Sequence, residues 1–194
     1  MRSFHKVYMK YEPLKEDAYY HIYNCGNNKE NIFIEEKNYA YFLSLVKKHL
    51  SSVCTILGYF LLKNHFHLLI KTKENVEKKK ISQSFSNLFN AYSKSINKQY
   101  NRSGSLFKDR FSRIKIEKEE YLINIIIYIH LNPVHHNFTD NFEAYKHSSF
   151  KALISDKSTS LDRDFVLNLY ENGENLIYTH QHKQVKLLDK FLLE

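Results

Sequence analysis

Two histidines separated by one residue, His65 and His67, are the strongest candidates for chemistry in this sequence. They lie in the apolar run 61–70, which is typical of a β-strand, and on a strand residues two apart point to the same face. Neutral imidazole binds divalent metal ions, and a strand would hold two rings at a fixed separation. The spacing indicates a pair of metal ligands, whereas an isolated His-x-His on a half-buried strand is more often structural.

A second group of candidates lies well downstream, in the apolar stretch 121–134. Its spacing of four, three and four residues puts one set of side chains on a single face of a helix: Tyr121, Ile125, Tyr128 and Asn132. A tyrosine hydroxyl can act as a nucleophile toward phosphorus when a metal ion polarises the phosphate. The residues alone are equally compatible with a second role, in which both tyrosines are aromatic side chains of the core.

Taken together, these motifs resemble the REP-associated tyrosine transposases, relatives of the single-strand insertion-sequence transposases within the HUH endonucleases. The resemblance covers residues 18–153. It rests on five segments that occur in the family's order: residues 20–28, 61–70, 104–111, 121–134 and 145–150.

The resemblance implies a mechanism and a set of site residues. Tyr128 would be the nucleophile, leaving a 5′-phosphotyrosine and a free 3′-hydroxyl. His65, His67 and Asn132 would hold Mg²⁺ or Mn²⁺, ions that suit oxygen and neutral imidazole ligands. A competing role for Asn132 is that of a helix C-terminal cap.

The sequence departs from the family pattern in three places. Lys63 stands where relatives commonly have proline, and His147 stands where they often have tryptophan. At the helix exit, His135 and His136 replace an Arg-Ala pair, so a fixed positive charge is lost. We expect Pro133 to end the helix, because proline disfavours helical geometry in the residue before it. His135 and His136 would then form a surface turn that contacts phosphate.

The charge and aromatic content favour a nucleic-acid partner. The chain of 194 residues carries a formal charge of +8 and contains 15 Tyr and 14 Phe, which offer phosphate attraction and base stacking. Three of its five arginines fall in one short segment, which also contains a lysine: Arg102, Lys108, Arg110 and Arg113. We expect this segment to bind single-stranded or hairpin DNA, and Lys78, Lys79 and Lys80 to form a solvated loop.

The periodicity predicts the order strand, helix, strand, strand, helix, strand, helix. The predicted strands are residues 19–24, 54–62, 65–72 and 113–117, and the predicted helices are 37–50, 82–99 and one beginning at 119. This order is that of an α+β, ferredoxin-like antiparallel sheet with helices on one face. An added helix carries the tyrosine. Such a sheet has its first and third strands at the centre.

The sequence divides into a catalytic domain, residues 1–153, and a C-terminal helical accessory region, residues 154–194, with helices over 161–170 and 176–193. The tail contains a second His-x-His, His180 and His182, whose side chains would diverge on a helix and make a poor chelate. Two cysteines without close spacing and no targeting segment in residues 1–6 favour a cytoplasmic protein. No apolar stretch reaches the length of a membrane span.

We therefore expect a metal-dependent single-stranded DNA endonuclease and strand transferase acting at hairpins. A catalytically idle hairpin-binding module on the same fold is the alternative. A histidine-metal phosphodiesterase for small molecules is less favoured, because the sequence has no compact phosphate loop and its basic charge is widely spread. The sequence leaves monomer and homodimer both open.

Overall fold

The computed structural model describes residues 13–182. Its strands are β1 (Tyr19–Cys25), β2 (Cys54–Leu62), β3 (His65–Thr72) and β4 (Ser112–Ile116). Its helices are α1 (Glu36–Leu50), α2 (Lys78–Gln99), α3 (Glu119–His135), α4 (Phe150–Ile154), α5 (Arg163–Asn168) and α6 (Gly173–His182). The predictions for residues 1–6, and for the last helix beyond residue 182, lie outside the described residues.

The four strands form one antiparallel sheet in the order β2-β3-β1-β4. The predicted α+β ferredoxin-like arrangement is confirmed, with the first and third strands at the centre. β2 and β3 are joined by Lys63 and Asn64 alone, and this two-residue connection holds the pair in register.

Each face of the sheet has its own apolar core. On one face, Ile22, Phe66 and Leu68 pack with the buried sides of α1 and α2. On the other face, Leu69 and Ile116 pack with α3 and with side chains of α4, α5 and α6. Since alternate residues of a strand point to opposite faces, His65 and His67 face α3. The added helix therefore covers the face that carries the histidines.

Helix α2 begins one turn earlier than predicted. Residues Lys78, Lys79 and Lys80 form its exposed first turn, so the expectation of a loop there was wrong. Ile81 is fully buried and continues the apolar stripe of the helix toward its N-terminus. Burial of that side chain favours helix at residues whose charge alone suggested a loop.

Helix α3 continues through Pro133 to His135, so the expectation that the proline ends the helix was wrong. In the last turn a proline removes only one main-chain hydrogen bond. The helix ends at His135, and two residues later Asn137 has a left-handed φ of 56°; the Phe138 amide donates to the Pro133 carbonyl at 2.9 Å. Asparagine tolerates this conformation better than most residues other than glycine.

The C-terminal helices pack beside α3. Helix α5 is shorter than the predicted helix 161–170, because Leu161 instead forms a β-bridge with Ile56 on the edge of β2. Tyr170 donates a hydrogen bond to the Ile123 carbonyl of α3 at 2.9 Å. Within residues 13–182, no helix is both long enough and apolar enough to span a membrane.

Candidate active site

His67 is held firmly in the middle of the sheet. It lies opposite Tyr23 of β1 and Phe60 of β2, and its ring stacks between theirs. The ring centroids are 5.2 Å apart for Tyr23 and 4.5 Å for Phe60, with interplanar angles of 17° and 21°. Only 1% of His67 is exposed. Stacking on both sides restricts the ring to one orientation.

His21 is hydrogen-bonded to His67. Its Nε2 lies 2.6 Å from the Nδ1 of His67, and both side chains are buried. One of these nitrogens carries the shared hydrogen, so the bond couples the tautomers of the two rings. Whichever ring donates, the Nδ1 side of His67 is oriented by His21, and the Nε2 atom is on the other side of the ring.

His65 is oriented by the residue before it. Its Nδ1 lies 2.8 Å from the Oδ1 of Asn64 in the hairpin connection. An amide oxygen only accepts, so Nδ1 carries the hydrogen and Nε2 keeps its lone pair. The two rings lie 5.6 Å apart between centroids. Both candidate ligands are thus fixed by a neighbour on the Nδ1 side, as ligating histidines usually are.

Helix α3 brings Tyr128 against the histidines. The centroid of its ring lies 6.0 Å from that of His67 and 6.5 Å from that of His21. Tyr128 is 4% exposed. Tyr121, on the same side of the helix and two turns earlier, is half-buried. Tyr128 therefore lies against one candidate ligand, His67, and against the histidine that is hydrogen-bonded to it.

Asn132 lies one helical turn after Tyr128 and is completely buried. Among residues 13–182, neither its amide nitrogen nor its amide oxygen has a hydrogen-bond partner. A buried amide without partners costs about 1–3 kcal/mol for each group left unsatisfied. The next turn carries His136, whose ring lies 5.2 Å from that of His65. Asn132 therefore lies on α3 between residues that contact the two histidines.

His135 and His136 belong to the last turn of α3 and the residue after it, and both are exposed. The ring of His135 lies 6.3 Å from that of Tyr128, and its partial burial, together with the neighbouring His136, lowers its pKa. These two residues do not form the separate surface turn that was predicted. They extend the side of α3 that carries Tyr128 and Asn132.

The predicted basic segment is attached to the end of β1. The amide of Lys108 donates to the Cys25 carbonyl at 3.0 Å, and the side-chain amide of Asn24 donates to the Asp109 carbonyl at 3.0 Å. Cys25 is paired with His65 across the sheet. Lys108 and Arg110 are exposed on this segment, so their charges lie beside the histidine strand.

Arg102 and Arg113 are partly buried, and both contact other side chains. Arg102 forms an ion pair with Glu30 and donates to the Asn97 side chain at 2.9 Å. The guanidinium of Arg113 lies 4.5 Å from the centroid of the Phe111 ring. A phosphate at Arg102 would compete with these partners. Lys108 and Arg110 are the more exposed of the four basic residues.

The residues present fit a divalent ion held by two imidazoles and one amide. No three His, Cys, Asp or Glu side chains within the described chain are grouped to hold a metal. The fit therefore rests on His65, His67 and the unsatisfied amide of Asn132, whose oxygen suits a hard ion. Because the protein would supply at most three ligands, other coordination positions of the ion remain for water and a phosphate oxygen.

Comparison with known families identifies the chain's relatives. The family model described as "Transposase IS200 like" matches residues 15–132, more than half of the sequence. The chain belongs to the IS200-like transposase family. The match contains the whole constellation of His65, His67, Tyr128 and Asn132 and ends at Asn132, before His135. The family predicted from the motifs is confirmed.

The fold of this IS200-like transposase is also found in a solved structure. A REP-associated tyrosine transposase bound to a REP hairpin superposes with a TM-score of 0.62 at 14% sequence identity. The alignment covers 79% of this chain and 93% of that one. No curated protein sequence matches the chain. At this identity the likeness supports the fold.

Three residues of this candidate site were not recognised by sequence reasoning as part of it. From the sequence, no site role was assigned to His21, Tyr23 or Phe60. His21 and Tyr23 occupy alternate positions of a strand expected to lie beside the histidine strand, and that alternation was a usable signal. The contact of Phe60 follows from the two-residue connection, which pairs residue 62 with 65 and so residue 60 with 67, and the predicted strand bounds already implied it.

Proposed function

We propose that this protein is a metal-dependent transposase that nicks and joins single-stranded DNA at hairpins, with Tyr128 as its nucleophile. The observation that carries the proposal is the contact of Tyr128 with His67 and His21 on the face covered by α3. A tyrosine held against a candidate metal ligand and the histidine that orients it has the elements needed for phosphodiester chemistry. Family membership supports the same reaction class.

In the proposed reaction, the phenol oxygen of Tyr128 attacks the phosphorus atom of one phosphodiester. The bond from phosphorus to the 3′ oxygen breaks, the phenol loses a proton, and the departing 3′ oxygen gains one. The products are a 5′-phosphotyrosine and a free 3′-hydroxyl. Because one phosphodiester replaces another, a second strand's hydroxyl can reverse the step and join DNA without ATP.

The metal ligands would be the Nε2 atoms of His65 and His67 and the amide oxygen of Asn132. A bound Mg²⁺ or Mn²⁺ would polarise the phosphate and stabilise the charge that develops on it. For His67 to use Nε2, its Nδ1 must carry the hydrogen and donate it to His21. For His65, the bond to Asn64 already requires that tautomer.

The DNA would lie along the basic segment beside β1. Lys108 and Arg110 are the best candidates for phosphate contacts, and His135 lies where it can donate to a phosphate next to Tyr128. Arg102 and Arg113 are less exposed than Lys108 and Arg110, so they would contribute positive potential more than direct contacts. The hairpin in the structural neighbour supports a folded single strand as the substrate.

The test is a covalent adduct between the protein and a single-stranded hairpin from the DNA flanking its own gene. We expect a denaturing gel to show a shifted band with Mn²⁺ and none with EDTA. Tyr128→Phe keeps the ring and its packing but removes the attacking oxygen, so its adduct should disappear. Tyr121→Phe, on the same helix, is the matched control and should form the adduct normally.

Each outcome has a distinct meaning. If the adduct is lost only in Tyr121→Phe, the nucleophile is Tyr121, two turns earlier on α3. If both variants form the adduct, another residue attacks the phosphate. If the wild-type protein binds hairpins but forms no adduct with any of them, the idle hairpin-binding module becomes the better account of this fold.

A further inference from the structure

A buried hydrogen-bonded chain connects α3 to the C-terminal helices. His130 of α3 lies at its centre, with Nε2 2.8 Å from the Oγ of Ser149 and Nδ1 2.8 Å from the Nε2 of His180 in α6. At one end, the amide of Tyr59 in β2 donates to the Oγ of Ser149 at 2.9 Å. At the other end, the Nδ1 of His180 lies 2.7 Å from the carbonyl of Leu176.

The two ends of this hydrogen-bonded chain determine where each of its hydrogens lies when the rings are neutral. A carbonyl only accepts, so His180 carries its hydrogen on Nδ1 and accepts at Nε2. His130 must then donate from Nδ1 and accept at Nε2 from the hydroxyl of Ser149. The hydroxyl oxygen in turn accepts from the amide of Tyr59. All members are satisfied when both rings are neutral.

No substrate can reach this hydrogen-bonded chain. Ser149 and His130 have no exposed surface, and His180 is 2% exposed. A serine beside a histidine suggests a nucleophile, but here its hydroxyl is committed to His130 and shut away from solvent. The rings of Phe142 and Phe150 pack against His180 at 5.9 and 5.2 Å between centroids. The arrangement is therefore a rigid link between elements.

The link attaches close to the proposed nucleophile. His130 follows Tyr128 by two residues, so the two side chains leave α3 about 200° apart around its axis. A helix that lies on a sheet can rotate about its axis, and fixing one side chain fixes the direction of the other. The Tyr170 hydroxyl holds the Ile123 carbonyl two turns earlier on α3. Two contacts from the C-terminal helices thus restrain the same helix.

We propose that His180 is a positioning residue for Tyr128, and that the C-terminal helices form a brace that sets the rotation of α3 through His130. The inference rests on the proposed role of Tyr128 as the nucleophile. Ser149 and His180 lie beyond residue 132, where the family match ends, so the brace is an addition to the part of the chain that defines the family.

The second His-x-His supplies its own control. His182 lies on the same helix and has the same kind of bond, from its Nδ1 to the Tyr178 carbonyl at 2.8 Å, but its side chain is exposed. His180→Leu removes the acceptor for His130, His182→Leu removes an equivalent ring from the surface, and His180→Gln keeps an amide oxygen that can accept from His130.

The experiment compares single-turnover adduct formation with hairpin affinity in the full-length protein with Mn²⁺, at a temperature where each variant is folded by circular dichroism. In His180→Leu we expect the adduct rate at saturating hairpin to fall about 10- to 100-fold, with the hairpin Kd unchanged, because misplacement of a nucleophile affects the reacting step. His182→Leu should match the wild type, and His180→Gln should recover much of the rate.

A merely structural role for His180 would lower the melting temperature and leave the rate of the folded protein unchanged, and that result would overturn the brace. An equal loss of rate in His182→Leu would overturn it as well. If the wild-type protein itself forms no adduct, the proposed role of Tyr128 as the nucleophile is refuted, and the brace with it. A wild-type adduct with a normal rate in His180→Leu refutes the brace alone.

Discussion

The buried histidines should make the protein lose stability in mild acid. Burial lowers the pKa of His180 to about 4, against the opposing effects of the Leu176 and Ile126 carbonyls and Glu143. Burial also lowers the pKa of His130 well below its usual value, and the charge of His180 lowers it further. As pH falls below about 6.5, these rings take up protons in the unfolded chain and not in the folded one.

The sign and size follow from this difference in proton uptake. Stability from a histidine with a lowered pKa is present above its unfolded pKa and is lost as pH falls toward the folded one. For His180, a change from about pH 7 to about pH 5 should remove about 2 kcal/mol of the free energy of unfolding. His130 adds a loss in the same direction.

The assay is urea unfolding followed by circular dichroism at the two pH values. His180→Leu will be less stable at both, but the free energy it loses between them should be about 2 kcal/mol smaller than in the wild type. His182→Leu removes an exposed ring from the same helix and should keep the wild-type pH dependence. Equal losses in the wild type and His180→Leu would refute the reasoning.

Three further predictions concern the site itself. His67→Ala should abolish Mn²⁺ binding and adduct formation while hairpin binding persists, and full wild-type activity in EDTA would contradict the metal role. His21→Phe keeps an aromatic ring but removes the acceptor for His67, so calorimetry should show Mn²⁺ affinity reduced about 10- to 100-fold; an unchanged Kd would exclude His21 from orienting the ligand. Arg110→Ala should weaken hairpin binding and its salt dependence without changing Mn²⁺ affinity. Arg163→Ala removes the same charge from a residue that binds carbonyls of its own region, and an equal effect in both would indicate general attraction only.

Much of the fold could be predicted because its information is local. The alternation around His65 and His67 indicated a strand, and the two residues Lys63 and Asn64 between apolar runs indicated a hairpin. The predicted start of α2 and end of α3 were wrong because a local signal received too much weight. Burial of Ile81 outweighed the charge at Lys78, and the ring of Pro133 removes only one main-chain hydrogen bond in the last turn of α3.

Only those features of the site that lie within a single strand or helix could be predicted. The pair on β3 and the spacing on α3 are visible within a few residues, and the resemblance to a family selected Tyr128 over Tyr121. The bond between His21 and His67 depends on which strands are neighbours and on their register. The contact of His130 with His180 joins residues 50 positions apart, and no local pattern marks it.

The unsatisfied amide of Asn132 has a consequence for how this protein can change over time. A buried polar group that bonds nothing among residues 13–182 weakens the fold in its resting state. An apolar residue of similar size, such as leucine, would remove that penalty together with the proposed ligand. The position therefore sets stability against activity, as functional sites often do. Once selection for transposition is relaxed, we expect drift at this position toward apolar side chains, and the inactive descendants to be the more stable proteins.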